Sequence, residues 1–108
     1  MIMKDNKTDI QVATDVKQAV SVIKSAILQS QSRAVKMISG TQLSLYFGVG
    51  LYVSANSRKG TWGTAAIDEI SEQLRRELPG LRGFSAQNIR NMRQFAEFWQ
   101  SFLIIGVR

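Results

Sequence analysis

The segment Glu77-Leu78-Pro79-Gly80-Leu81-Arg82-Gly83-Phe84-Ser85 constrains the fold more than any other part of the chain. Proline cannot continue a helix and glycine weakens one, so regular structure stops here. On either side stand apolar residues at helical spacing. Ile67, Ile70, Leu74 and Leu78 precede the break, and Ile89, Met92, Ala96, Trp99 and Leu103 follow it, each set falling on one helix face. Ser85 occupies the expected N-cap of the second helix, where its hydroxyl can accept from unpaired amides of the first turn. Two amphipathic helices meeting at one turn have the outline of a helix-turn-helix. The polar positions of the second helix read Gln87, Asn88, Arg90, Asn91, Arg93 and Gln94, with no carboxylate from Ser85 through Ala96. Arg, Asn and Gln are the side chains that pair bidentately with guanine or adenine in the major groove.

Charge supports that direction through its placement. The chain has 108 residues with 14 Lys plus Arg against 8 Asp plus Glu, a net charge of +6 that favours a polyanionic partner. From Arg75 to Arg93 there are five arginines, at 75, 76, 82, 90 and 93, against the single acid Glu77. Met1 to Gln31, with four lysines and three aspartates, is nearly neutral.

The chain contains no cysteine and no histidine, which excludes a disulfide frame, a thiolate metal site and imidazole chemistry. No metal and no cofactor is expected. The longest apolar run, Leu43 to Val53, is too short to span a bilayer and is interrupted by Ser44, Gly48 and Gly50. No apolar signal core opens the chain. The expectation is a soluble cytoplasmic protein with no membrane partner.

The fold expected is all-α, a small bundle of about four helices with a helix-turn-helix-like C-terminal pair. Residues 1–9 read as a flexible lead-in and 10–108 as a single helical domain. Val12, Val16, Ala19 or Val20, Ile23 and Ile27 set the stripe of a first helix over about Gln11 to Gln29, and Ser30-Gln31-Ser32 suits a turn or more helix equally. Arg33 to Ala55 becomes apolar on nearly all sides, the pattern of a central buried helix, in which Gly48 and Gly50 allow close helix approach. Asn56 to Gly60 reads as a basic loop and Trp62 as a plug between helices. Thr61 or Thr64 should cap the third helix, with Asp68 and Glu69 at its positive end and Arg75 and Arg76 at its negative end. The fourth helix should run from Ser85 to about Gln100 or Phe102. The apolar close, Phe102 to Val107, suits more helix, a short strand or a surface for a partner.

One family shares this order of residues. Arg33-Ala34, Leu45-Tyr46-Phe47-Gly48-Val49-Gly50, Gly60-Thr61-Trp62-Gly63, Leu78-Pro79-Gly80 and Gly83-Phe84-Ser85, followed by Asn88-Ile89, Met92-Arg93 and Phe95, resemble the N-terminal domain of the YhcG-like proteins. These are bacterial proteins whose C-terminal half is a predicted PD-(D/E)XK nuclease domain. Phe47 stands where the family usually has Trp, and Gly40 to Gln42 also departs from its pattern. The resemblance implies an all-helical module that binds DNA and presents it to the nuclease half, whose catalytic residues are not in this sequence. This chain is therefore expected to be no enzyme.

Two functional readings follow. In the first, Arg82, Ser85, Gln87, Asn88, Arg90, Asn91, Arg93 and Gln94, with Arg58 and Lys59 from the basic loop, contact nucleic acid, duplex DNA in particular. The competing account of these residues is a solvated helix face, with Ser85 as a cap and Arg93 paired internally to Glu69, Glu72 or Glu97. In the second reading, Phe98, Trp99, Phe102, Leu103 and Ile105, with Ile104, form an interface for a homodimer or for the C-terminal nuclease domain.

Overall fold

The computed structural model describes residues 9–34, 39–58 and 62–106, which form four α-helices and no strand. Side chains of 9, 31–34, 39–42 and 103–106 lie outside the described set. The helices are α1 (Asp9–Ala34), α2 (Ser39–Arg58), α3 (Ala66–Glu77) and α4 (Ala86–Gly106). α1 packs on α2 and α3, and α4 packs on the same two helices, so each helix has two neighbours. This is the small all-α bundle that the periodicity predicts.

The core follows the helical stripes. Val16, Ala19, Val20, Ile23 and Ile27 of α1 meet Val49 and Val53 of α2, Ile67, Ile70 and Leu74 of α3, and Ile89 and Met92 of α4. Val12, expected on the α1 stripe, is exposed. The helix also runs on through Ser30-Gln31-Ser32, so Arg33 and Ala34 close α1 and do not open the second helix.

α2 is not buried all round. Val49, Gly50 and Val53 face the core, while Leu43, Ser44, Gly48 and Ala55 are exposed. Its two glycines therefore differ in use. A Cβ on Gly50 would overlap the backbone carbonyl of Met92 and lie 2.8 Å from the Ala96 Cβ, whereas nothing lies within 4 Å of one on Gly48. Asn56, Ser57 and Arg58, expected in a loop, form the last turn of α2, and Asn56 Nδ2 donates to the Tyr52 carbonyl at 2.8 Å. Trp62 packs against the core edge-on to Tyr52, as its plug role requires.

α3 begins without a side-chain cap. Its N-cap is Ala65, whose backbone dihedrals of −95° and 3° leave Thr64 outside the capping position; Thr61 lies outside the described residues. Asp68 and Glu69 in the first turn and Arg75 and Arg76 in the last complement the helix dipole.

The connection between α3 and α4 is residues 78–85, longer than the three or four residues of a DNA-binding helix-turn-helix. α3 and α4 pack on each other across this longer connection. Pro79 and Gly80 occupy the centre of a β-turn closed by Leu81 N–H donating to the Leu78 carbonyl at 3.0 Å. Gly80, at φ 87°, takes the positive-φ position that a type II turn demands. Phe84 is buried, and its carbonyl accepts from the buried Ser71 hydroxyl at 2.7 Å, which fastens the turn to α3. α4 then continues to Gly106, so residues 102–106 extend the helix, and Val107 lies outside the described residues.

Candidate nucleic-acid interface

The Ser85 cap sets where α4 starts. Its hydroxyl accepts from the Asn88 amide at 3.1 Å, the third helical position, and its carbonyl accepts from Ile89 N–H at 2.9 Å. The Asn88 side chain turns back and donates to the Gly83 carbonyl at 2.7 Å, where Gly83 sits at φ 85°. Ser85 and Asn88, two of the predicted contacts, are thus engaged in holding the turn against the helix.

Beyond the cap, α4 presents one exposed stripe. Gln87, Asn91 and Gln94 recur at i, i+4 and i+7, and Phe98 and Phe102 continue the same line toward the C-terminus. Gln87 Nε2 donates to Asn91 Oδ1 at 3.2 Å, and Asn91 Nδ2 donates to Asn88 Oδ1 at 3.3 Å. The amides form a short relay anchored at Gly83. Gln94 has no hydrogen-bond partner among the described residues. The stripe carries no carboxylate.

The arginines divide into three settings. Arg82 projects from the turn, exposed and without an ion pair among the described residues. Arg90 flanks the stripe and reaches Asp68 of α3 at 3.3 Å. Arg58 and Arg93 meet at the α2–α4 junction. There the Arg58 guanidinium grips Glu97 with Nε at 2.9 Å and Nη2 at 3.3 Å, and the Ser54 hydroxyl donates to the same carboxylate at 2.7 Å. Arg93 Nη1 donates to the Ser57 hydroxyl at 3.0 Å, while its buried Nε finds no acceptor among the described residues.

Electrostatics at this junction favour an anion. The hydrogen bond from Arg58, helped by that from Ser54, holds the Glu97 carboxyl below its ordinary range despite partial burial. Burial and the nearby charges of Arg58 and Arg90 push the Arg93 guanidinium down, partly offset by Glu97. Asp68 and Glu97 come from outside the acid-free run of α4, and it is packing that brings them to the arginines. Of the acids considered for Arg93, Glu97 is the one that bears on it. Lys59 lies outside the described residues.

The predicted interface residues occupy the far half of α4. Phe98 and Phe102 are 63% and 54% exposed, and their rings stack at 6.3 Å. Trp99, expected on the buried stripe, is 37% exposed and edge-on to both. Phe95 links this ridge to Tyr46 and Phe47 of α2. The side chains of Leu103 and Ile105 lie outside the described residues. No helix among the described residues is long and apolar enough to cross a membrane.

Comparison with curated proteins and with solved structures gives no match. Residues 22–106 match the DUF1016 N-terminal domain, which is the N-terminal domain of the YhcG-like proteins. A match that runs from within α1 through α4 takes in most of the chain, including the turn and the exposed stripe, and so the protein belongs to the DUF1016 N-terminal domain family.

Proposed function

We propose that this domain binds nucleic acid, duplex DNA by preference, with α4 as the reading helix of a helix-turn-helix-like pair. The observation that carries the reading is the exposed, carboxylate-free stripe Gln87, Asn91 and Gln94. Side-chain amides at this spacing offer donors and acceptors to successive base edges along a groove. Arg82 and Arg90 beside the stripe supply phosphate contacts, which fix register without reading sequence. The family resemblance extends the proposal: the domain is a module of a longer bacterial protein and presents DNA to a C-terminal nuclease domain, where the chemistry resides.

Fluorescence anisotropy against labelled duplex DNA, single-stranded DNA and duplex RNA at several salt concentrations tests the reading. Saturable duplex binding is expected, with an affinity that falls linearly on a log–log plot against salt. Arg82→Ala should weaken binding to all sequences and reduce that slope by about one unit. Gln94→Ala should instead relax preference at one base position, at a cost of about 1–3 kcal/mol. Absence of binding to all three nucleic acids at low salt overturns the proposal.

A second reading rests on the exposed ring ridge of Phe98, Trp99 and Phe102. Such a patch suits a protein partner, a second copy or the nuclease domain, and it is compatible with DNA binding because helix-turn-helix modules often act as dimers.

A further inference from the structure

The α2–α4 junction holds two arginines and one carboxylate, and the two arginines are unequally served. Arg58 spends two N–H groups on Glu97. Arg93, the more enclosed of the two, has a neutral hydroxyl, Ser57, as its hydrogen-bond acceptor and leaves a buried Nε–H without one among the described residues. A buried donor left unmade costs more than an ordinary hydrogen bond gains, and in native proteins such a group calls for a specific explanation. Arg90 lies close enough to add its positive charge to that of Arg58 at Arg93. Arg90 is itself paired with Asp68, so the positive charge that Glu97 neutralises only in part is chiefly that of Arg58 and Arg93.

A carboxylate gripped by an arginine fork is also a chemical substitute for a phosphate, which offers the same bidentate geometry with more acceptor oxygens. Resting on the reading of the domain as a nucleic-acid binder, we propose that Arg58, Arg93 and Ser57 form a site for a backbone phosphate, and that the Glu97 carboxylate occupies this site in the free domain. A phosphate diester entering the junction takes Arg58 from Glu97 and supplies the acceptor that Arg93 Nε lacks. Glu97 is then an internal competitor that lowers affinity for nucleic acid, and base reading by the stripe is left to select among sites. The internal acid keeps non-specific binding weak.

The test compares wild type with Glu97→Gln by anisotropy on labelled duplex DNA at several salt concentrations. Glutamine can still accept from Ser54 and Arg58, and a cooperative thermal transition with unchanged helical content confirms an intact junction even where the lost charge pair lowers the melting temperature modestly. Glu72→Gln, which removes an exposed acid of α3 and changes net charge equally, is the control. The expected result is binding about tenfold tighter for Glu97→Gln at low salt, with a salt slope steeper by about one unit, and little change for Glu72→Gln. The gain should vanish when Arg58→Ala is combined with Glu97→Gln. Equal effects of the two glutamine variants, or a gain that survives Arg58→Ala, overturn the proposal. A readout without DNA separates this site from the reading it rests on: inorganic pyrophosphate should shift the Arg93 Nε–H resonance at lower concentration in Glu97→Gln than in wild type. If pyrophosphate leaves that resonance unmoved the site is refuted, and if it moves while no duplex is bound, the nucleic-acid reading fails and the anion site stands.

Discussion

At Gly50 the backbones of α2 and α4 approach so closely that a methyl group has no room. The atom it would strike is a backbone carbonyl, which cannot swing aside as a side-chain tip can. Gly50→Ala should therefore destabilise the fold by about 1–3 kcal/mol, the overpacking cost outweighing the gain in helix propensity. Gly48→Ala should do the opposite and stabilise by up to about 1 kcal/mol, because the added methyl meets nothing. Urea denaturation midpoints of the two variants check both signs. Glu97 adds a pH effect. Its folded-state value is depressed below the ordinary 4.5, chiefly by Arg58, so its contribution to stability is present above 4.5 and is lost as pH falls through the depressed value. Denaturation midpoints measured below pH 4.5 should fall less steeply for Glu97→Gln than for wild type. The carboxyl is partly exposed, and the effect is correspondingly modest.

Among the elements, α4 depends most on its first turn. Ser85→Ala removes the acceptor of the Asn88 amide and should cost about 1 kcal/mol. The loss should appear as faster hydrogen exchange at Asn88 than at Ile89, whose amide keeps the Ser85 carbonyl. Local signals of this kind were readable in advance: the cap, the Pro79-Gly80 break and the apolar stripes of α1, α3 and α4 each involve residues within one turn of one another. The ends of α2 were not. Asn56-Ser57-Arg58 has loop composition, yet tertiary contacts of Ser57 and Arg58 with α4 give it reason to stay helical. The start of α3 is not legible in the sequence either, since a threonine nearby is no guide to the backbone angles that place the cap at Ala65.

For the whole molecule, the ridge of Phe98, Trp99 and Phe102 leaves three contiguous aromatic rings exposed. If it is an interface between copies, sedimentation velocity should show concentration-dependent association that Phe98→Ser with Phe102→Ser removes without lowering the melting temperature, because both rings are exposed. The sequence by itself determined the helical class, the position of the turn, the cap of α4 and the acid-free run of amides and arginines. These follow from local periodicity and local hydrogen bonding, which neighbours in the chain decide. Only the tertiary structure decided which of those polar residues are available to a partner. Asp68 reaches Arg90 across 22 residues and Glu97 reaches Arg58 across 39. Charges on separate helices find each other through packing, and no spacing along the chain encodes that meeting.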